Sequence, residues 1–468
     1  MEIMKLITGF ALIAALLTHH LSLNAGAFND SSAAGGGLSL GLIANHDEGS
    51  IYSTRRGSDG FLYLRRRQDD SRLLLSSAAS VIAPEANGGA VVVLRVGTGA
   101  AQHEYTLKAD ATSRLTWIQC APCVPHAPQS GPIFDPTASP TFRLVAGASS
   151  ICVPQYGMEP AGDRCAFHVA GPGGMSVHGY VHLEHVVDQH SRSPFESFVL
   201  GCSHSTEHFQ SHGQYAGVAT VSRAPASLAS QLAKRGMARF SYCLAGAGGG
   251  RRQGFLRFGA DVPHNNPRYQ TTSILPPAAA LGDDTAAYYV GLVGVSLGAK
   301  RLEGIRPEMF ARGRDDGNGG CVIDLGTRVR VTVMAEEAYR VVEEAVWSEL
   351  VQLGHGAAVR VEQRGGYGLC VRVTEQIKGR LQSQSLSLHF DAAEKEEATM
   401  VVKPAQLYLM MDDDEQAGRQ VACLAMVPGR RTIIGALQQV DSRFVFDLEG
   451  AKLSFAPESC IEDTVQVV

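Results

Sequence analysis

The sequence predicts a mainly β fold of two similar lobes with few helices. Among 468 residues, 51 glycines and 20 prolines are typical of a chain with many turns and short strands. Runs of β-branched and aromatic residues recur throughout, and only one segment has apolar residues at the spacing of a long helix. A seven-residue pattern around Asp110 is repeated around Asp324, which indicates that the two halves are built alike.

The strand-forming runs lie in both halves of the chain. Their apolar and β-branched content predicts strands at 91–96, 198–200, 255–258, 288–292 and 444–446. A helix is predicted over 335–353, because apolar residues recur there at helical spacing and glutamates stand near its start.

The composition is that of an ordinary globular protein. Hydrophobic residues make up 45% and charged residues 19%, and the formal net charge is −5. This balance argues against a largely disordered chain, and it lacks the basic excess typical of nucleic-acid binding. We therefore expect no nucleic-acid partner.

Residues 1–27 have the pattern of a secretory signal peptide. Lys5 precedes an apolar run over Leu6–Leu17, and the small residues Ala25–Ala27 follow. The alternative is a membrane anchor, but the run is shorter than the roughly twenty residues that span a bilayer. We expect a secreted or vacuolar protein with no membrane attachment after signal removal.

Residues 28–88 differ in composition from the rest. They contain a triple glycine and two arginine clusters but no cysteine. We expect a propeptide, a segment that folds on the mature body and is later removed; a solvated linker is the alternative. The two lobes are then predicted over 89–268, with Asp110, and 269–468, with Asp324.

Ten cysteines in an exported chain predict that most form disulfides. The sequence leaves their pairing open. Cys120 and Cys123 have the spacing of a redox pair, but they lack a βαβ context, so a structural role is favoured.

The repeated pattern brings one aspartate from each lobe onto a turn after a strand. A single aspartate there would be read as a turn-forming residue. Two carboxylates that meet across a cleft share a proton. One then activates a water as general base while the other protonates the peptide carbonyl. Such a site works at acid pH and needs no metal or cofactor.

Several longer motifs carry a family resemblance between about Val91 and Cys460. They are Leu115–Cys123, Phe134–Pro136, Phe240–Leu244, Tyr288–Leu292, Gly319–Asp324, Ile433–Gly435 with Gln438–Gln439, and Leu453–Pro457. With them the chain resembles the plant pepsin-like aspartic proteases of the nepenthesin-like branch. The resemblance implies a two-lobed pepsin-like fold with a substrate cleft, and a propeptide. It also implies Asp110 and Asp324 as the catalytic pair, oriented by the hydroxyls of Ser113 and Thr327.

The motifs depart from the family pattern at the altered positions Ala111, Thr112, Leu325 and Gly171. Ala111 and Leu325 lack the hydroxyl that reaches the other lobe, although Gly326 keeps the family glycine. Thr112 replaces a glycine, so we expect the loop around Asp110 to differ from that of an active enzyme. Gly171 stands where the family has the flap tyrosine that covers substrate.

A second glycine of the same lobe is lost in the segment 220–225. Tyr180, nine residues beyond Gly171, is no motif match for the flap tyrosine.

Arg114 and Arg328 follow the two motifs. A guanidinium near the dyad would favour charged carboxylates and weaken proton sharing; we expect both side chains to face solvent.

The cysteine set also departs from the family. Nine of its usual twelve cysteines have a match, His126 stands at one expected cysteine, and Cys321 is extra. The odd number leaves one family cysteine without a partner unless Cys321 pairs with it. We expect a free thiol, with Cys321 as a buried apolar residue.

Other chemistries are less favoured. Eight histidines fall between His168 and His212, and three of them are four residues apart. We expect a solvated surface rather than a zinc site, because turn formers separate these histidines. Ser203 and Ser205 lack a nucleophile-elbow pattern.

Two functions remain open on the sequence. The first is an acid-active, secreted aspartic endopeptidase, a monomer that binds a peptide or protein substrate between its lobes. The second is a non-catalytic relative that binds a protein partner, as inhibitors of cell-wall-degrading glycosidases do. A decaying gene copy that folds poorly is a third reading.

Overall fold

The structure is a computed structural model. It describes residues 37–44, 52–59, 61–66, 90–187, 195–211, 213–246, 253–263, 266–276, 286–312, 319–324, 331–354, 358–361, 366–391, 396–412 and 419–460. Residues 37–468 form one compact unit. The signal peptide predicted at 1–27 lies outside the described residues, as do Leu325, Gly326, Thr327 and Arg328. Within the described ranges, no helix is long and apolar enough to cross a membrane.

Short strands dominate both halves of the described chain. The first fifteen are β1 (Gly37–Ala44), β2 (Tyr52–Arg56), β3 (Leu62–Arg66), β4 (Ala90–Val96), β5 (His103–Asp110), β6 (Trp117–Gln119), β7 (Arg143–Leu144), β8 (Met158–Ala161), β9 (Arg164–Ala170), β10 (Ser176–Val187), β11 (Phe195–Glu207), β12 (Gly217–Thr220), β13 (Arg239–Cys243), β14 (Gln253–Gly259) and β15 (Gln270–Ser273).

The second half continues with the same kind of element. Its strands are β16 (Tyr289–Val290), β17 (Leu292–Leu297), β18 (Lys300–Arg301), β19 (Cys321–Ile323), β20 (Thr332–Ala335), β21 (Arg360–Val361), β22 (Cys370–Arg372), β23 (Leu386–Phe390), β24 (Ala398–Val402), β25 (Tyr408–Asp412), β26 (Gln420–Leu424), β27 (Met426–Gly429), β28 (Thr432–Ile434), β29 (Ser442–Asp447) and β30 (Lys452–Pro457).

Helices are few and mostly short. The α-helices of the described residues are α1 (Leu228–Ala233), α2 (Glu336–Val351), α3 (Glu375–Ser383), α4 (Pro404–Leu407) and α5 (Ala436–Gln439). The long helix predicted at 335–353 is α2, which has two glutamates in its first turn and buries its apolar face. The predicted strands are also confirmed, except that Gly291 divides the 288–292 run between β16 and β17.

A fifteen-stranded sheet joins the N-terminal lobe to the last strands of the chain. Its order runs β15-β30-β29-β13-β14-β1-β4-β5-β12-β6-β11-β10-β9-β8, with β7 paired to β10. The C-terminal lobe adds three sheets, ordered β16-β19-β28-β20-β27, β18-β17-β23-β24 and β2-β3-β25-β26-β22-β21. The mainly β, two-lobed prediction is confirmed.

The two lobes repeat one topological motif. β5 ends at Asp110 and runs parallel to β12, which is antiparallel to β6. Likewise β19 ends just before Asp324 and runs parallel to β28, which is antiparallel to β20. A short helix follows the middle strand in each case, α1 after β12 and α5 after β28. The repeat in the sequence therefore marks a repeat in the fold.

The close approach of β12 to β6 requires a glycine. A Cβ atom on Gly217 would lie 2.0 Å from the carbonyl oxygen of Trp117. No side chain fits there, so this glycine allows β12 to reach the strand that follows the Asp110 loop.

Part of the segment predicted as a propeptide is built into the sheets. β1 pairs along seven residues with β14, and β3 pairs in parallel with β25. Phe61 and Leu62 are buried, and Asp59 accepts hydrogen bonds from the Tyr63 hydroxyl at 2.5 Å and pairs with Lys378 Nζ at 2.8 Å. The segment folds on the body, as a propeptide would; its removal stays a prediction.

Eight cysteines form disulfides, and two of those described are free. The pairs are Cys120–Cys202, Cys152–Cys165, Cys243–Cys460 and Cys370–Cys423. Cys123 and Cys321 are free and buried, and burial raises the pKa of both thiols. The expected unpaired family cysteine is therefore Cys123, and Cys321 is a buried core residue.

Candidate active site

The carboxylate of Asp110 organises its own loop. Oδ1 accepts hydrogen bonds from the backbone N–H groups of Thr112 at 2.6 Å and Ser113 at 3.0 Å. Oδ2 accepts the Ser113 hydroxyl at 2.8 Å, so this side chain lies where an orienting hydroxyl is expected. The arrangement is an aspartate turn at the end of a buried strand, and Asp110 itself is 8% exposed.

Thr112 adds a donor that a glycine cannot supply. Its hydroxyl donates to Asp110 Oδ1 at 2.8 Å, which gives that oxygen three donors from one loop. The neighbouring Ala111 is buried. A carboxylate has about four lone-pair sites, and the loop supplies donors for a comparable number.

The second lost glycine is compensated by hydroxyl groups. Thr220 Oγ1 lies 3.1 Å from Asp110 O and 2.7 Å from Ser113 O, both acceptors. Ser222 Oγ donates to the same Ser113 carbonyl at 2.6 Å, and Val221 N–H donates to Asp110 O at 2.8 Å. The loop is therefore fixed by side chains that the family pattern does not have.

Asp324 is held by the C-terminal lobe through its backbone. Its N–H donates to Ile434 O at 3.3 Å, and its carbonyl accepts Gln439 Nε2 at 2.6 Å. Gln439 Oε1 in turn accepts a hydrogen bond from the Tyr242 hydroxyl at 2.5 Å, which connects Asp324 to β13 through Gln439. Burial raises the pKa of Tyr242 well above its usual value, and the charge of Asp324 adds to this. Asp324 is 1% exposed.

A cavity of about 690 Å³ lies between the Asp110 loop and Asp324. Thr112, Ser113 and Arg114 border it from one lobe, and Val322, Asp324 and Ile433 border it from the other. Asp324 thus contributes directly to the lining, whereas the Asp110 loop contributes through the residues that follow it. The structure therefore brings Asp324 and the residues that follow Asp110 to one cleft.

A hairpin of β9 and β10 forms the third side of the cavity. His168, Val169 and Ala170 line it, and the hairpin closes where Gly171 N–H donates to Met175 O at 3.0 Å. Gly171 therefore lies at the hairpin tip, where the flap tyrosine was expected to be missing.

Tyr180 does not replace the missing tyrosine. It lies in β10 against Arg164 and His204, 5.3 Å and 5.7 Å from its ring, and it is not among the lining residues.

Among the polar side chains that line the cavity, sequence reasoning missed Tyr156 and Arg431. Tyr156 lines it from the short turn that ends at Gly157, whose φ of 72° lets the chain reverse into β8. A tyrosine followed by a glycine is too common in sequences to predict a cavity residue. Arg431 lies just before β28 and is far from Asp324 in sequence, so only strand pairing brings it near.

Arg114, which we expected to face solvent, lies at the edge of the cavity. Its side chain is half-buried and lines the cavity, because the Asp110 loop turns its following residue toward the cleft.

The expectation of a solvated histidine surface is wrong for His182. This residue is fully buried in β10 and stacks on Phe142 at 4.9 Å, and burial lowers its pKa to about 3. His168 and His178 are exposed and stack at 4.3 Å across β9 and β10. No group of three or more metal-ligating side chains occurs in the part of the chain that the structure describes.

Comparison with known proteins finds matching family models and plant relatives. A family model described as xylanase inhibitor N-terminal matches residues 92–260, and one described as xylanase inhibitor C-terminal matches residues 287–457. Aspartyl protease family protein 2 of Arabidopsis thaliana is 28% identical over 385 residues, which cover 81% of this chain and 73% of that protein. Aspartic proteinase nepenthesin-2 of Nepenthes gracilis is 26% identical over 384 residues, which cover 81% and 80%.

A solved structure shows the same fold. The crystal structure of edgp superimposes with a TM-score of 0.64 at 17% sequence identity, covering 92% of this chain and 97% of that chain.

Proposed function

We propose that this chain, which belongs to the family of plant pepsin-like aspartic proteases, hydrolyses peptide bonds in the cleft between its lobes. Its substrate is a peptide or protein. Asp110 and Asp324 form the catalytic dyad, Ser113 and Thr327 orient them, and no metal or cofactor takes part.

One observation carries this proposal. β5 and β19 have matching topology, and the residues that follow β5 border the same cavity of about 690 Å³ as Asp324, which directly follows β19. A water held between the two carboxylates would lose a proton to one of them as it attacks the peptide carbon. The other would donate its proton to the carbonyl oxygen. The resulting diol then collapses as the leaving nitrogen is protonated.

Peptide hydrolysis by the purified full chain after acid incubation tests the proposal, from about pH 3 to 6. We expect Asp324→Asn to abolish turnover, because an amide cannot take up or share the proton. The matched control is Asp163→Asn, whose side chain is 92% exposed and outside the cavity lining. A transition-state-mimic inhibitor of aspartic proteases should also stop turnover; activity that persists in Asp324→Asn would overturn the dyad.

A second function, non-catalytic binding of a protein partner, is favoured by two features. The Thr112 hydroxyl competes with water for Asp110 Oδ1, and the hairpin tip at Gly171 has no tyrosine side chain to cover a substrate. The matching family models are described as xylanase inhibitors. Inhibition of a xylanase by folded protein that has no peptidase activity would support this function and contradict the first.

The targeting of the protein belongs to the same proposal. The signal peptide at 1–27 would export the chain to the cell exterior or the vacuole, and residues 28–88 would act as a propeptide. The disulfides of the folded body are consistent with an oxidising compartment. The mature protein is proposed to be a monomer.

A further inference from the structure

Tyr156 lines the cavity with a hydroxyl that has no hydrogen-bond partner among the described residues. Its side chain is half-buried, and the hydroxyl oxygen does not belong to the buried unpartnered atoms of the described residues, so it is open to the cavity or to solvent. The ring packs against a hydrophobic cluster that includes Trp117 and Phe167. Packing therefore anchors the ring and leaves the hydroxyl able to donate and to accept.

The backbone around Tyr156 fixes its place in the wall of the cavity. Gly157 N–H donates to Pro154 O at 2.9 Å, which closes the turn that carries the tyrosine. Gly157 O accepts the His168 N–H at 3.3 Å, so this turn lies against β9. Residues 167–170 of β9 line the same cavity. The tyrosine is therefore part of the wall that the β9–β10 hairpin forms.

The hairpin tip supplies no comparable group. A Cβ atom on Gly171 would lie 2.6 Å from Met175 Cε, so the methionine occupies the space that a side chain at 171 would take, and Met175 is not among the lining residues. The hydroxyls of Thr112 and Ser113 both donate to Asp110. A ligand on this side of the cavity thus meets a tyrosine hydroxyl that no described residue engages.

Apolar residues make up much of the remaining lining, namely Leu115, Phe167, Val169, Val322 and Ile433. Their side chains offer no hydrogen bond that would compete with the hydroxyl. A hydrogen bond formed between apolar walls is electrostatically stronger than one in open water. Every residue of a peptide carries a backbone carbonyl, so a peptide in the cavity presents an acceptor whatever its side chains are.

We propose that Tyr156 is a substrate-binding residue whose hydroxyl donates a hydrogen bond to a backbone carbonyl of the bound peptide. This inference rests on the proposed function, because it names a further substrate contact of the same cleft. The acceptor belongs to a peptide unit away from the bond that is cleaved. The contact is then equally strong in the bound substrate and in the transition state, so it lowers KM and leaves kcat unchanged.

Peptide binding to the purified full chain tests the inference without requiring catalysis. The probe is a fluorescent peptide with apolar residues on both sides of a non-hydrolysable reduced bond, followed by fluorescence anisotropy at pH 5. We expect Tyr156→Phe to raise the Kd about fivefold, because the ring remains and one hydrogen bond is lost. Tyr180→Phe is the matched control; Tyr180 lies in β10, outside the lining residues, and its variant should keep the natural Kd.

A series of peptides with single ester replacements locates the contact. An ester in place of one amide has a carbonyl that is a weaker acceptor. We expect one replacement to weaken binding to the natural chain and to have a smaller effect on Tyr156→Phe, because the two changes remove the same hydrogen bond. In peptide hydrolysis, Tyr156→Phe should raise KM with kcat unchanged. A purely structural role of the hydroxyl would instead lower the urea midpoint and weaken the binding of all peptides alike.

The outcomes separate the inference from the proposed function. An unchanged Kd in folded Tyr156→Phe overturns the inference and leaves the peptidase proposal to its own test with Asp324→Asn. Weaker binding by Tyr156→Phe in a chain that hydrolyses no peptide supports the contact and overturns catalysis. Failure of the folded natural chain to bind the probe overturns both. If Tyr156→Phe does not fold, a loss of affinity confined to one ester position in the natural chain supports the contact, and an equal loss at every position contradicts it.

Discussion

Thr112 places a hydroxyl 2.8 Å from Oδ1 of Asp110, and this contact bears most directly on whether the dyad can work. The sequence predicted an altered loop here, because a β-branched residue replaces a glycine. It did not predict that the side chain would turn inward and donate to the carboxylate. The direction of a side chain depends on its surroundings, and at this position they include Thr220 and Ser222, which bond to the Ser113 carbonyl from a distant strand.

The role of Thr112 gives a prediction at the residue scale. We expect Thr112→Gly to raise kcat/KM for peptide hydrolysis at pH 4 by about tenfold, because it removes a competing donor worth roughly 1.5 kcal/mol or more. Thr112→Val keeps the bulk but not the hydroxyl, so an equal gain would assign the effect to the hydrogen bond. The glycine should cost about 0.5–1 kcal/mol of stability. Unchanged kcat/KM in both variants would show that Thr112 does not limit the dyad.

At the scale of elements, the folding of segment 37–66 on the body was predictable from the sequence, but the strands it pairs with were not. Its composition predicted a removable segment that folds on the body, and two of its three strands, β1 and β3, pair with strands of the body, while β2 pairs with β3. The partners of β1 and β3 were not predictable, because β14 and β25 lie more than two hundred and three hundred residues away along the chain. Strand pairing at such separations is set by the tertiary fold, and the sequence of a strand does not by itself specify which distant strand it pairs with.

Phe61 tests whether this segment stabilises the protein. Its side chain is 1% exposed and lies in the main hydrophobic core. We expect Phe61→Ala to lower the free energy of unfolding by about 3–5 kcal/mol, as measured by urea denaturation of the full chain. Val124→Ala, at a side chain that is 79% exposed, should change it by less than about 0.5 kcal/mol. If both variants behave alike, the segment adds nothing to the stability of the body, and its removal as a propeptide would carry no cost.

At the scale of the whole molecule, the duplicated strand that leads to an aspartate was predictable, and the position of Arg431 at the cleft was not. Asp110 and Asp324 sit in matching seven-residue patterns, so both the two-lobed fold and the position of the cleft followed from them. Arg431 directly precedes β28, and it reaches the cavity only because that strand pairs with β19. Residues that share a local pattern are visible in a single sequence, whereas those that meet through sheet pairing are not.

Acid stability connects the whole fold to its proposed chemistry through His182. Its pKa is about 6.5 in the unfolded chain and is lowered to about 3 by burial, so the unfolded state binds the proton more tightly. Above pH 6.5 this residue does not reduce the free energy of unfolding. As the pH falls from 6.5 toward 3, the free energy of unfolding decreases by an amount on the order of 3–5 kcal/mol, because the unfolded chain takes up a proton that the folded chain does not. An acid peptidase would work within that window. We therefore expect His182→Leu to weaken the fall in thermal midpoint between pH 7 and pH 4, while His103→Leu, at an exposed histidine of β5, leaves it as in the natural chain. Parallel curves for all three proteins would mean that another group controls acid stability.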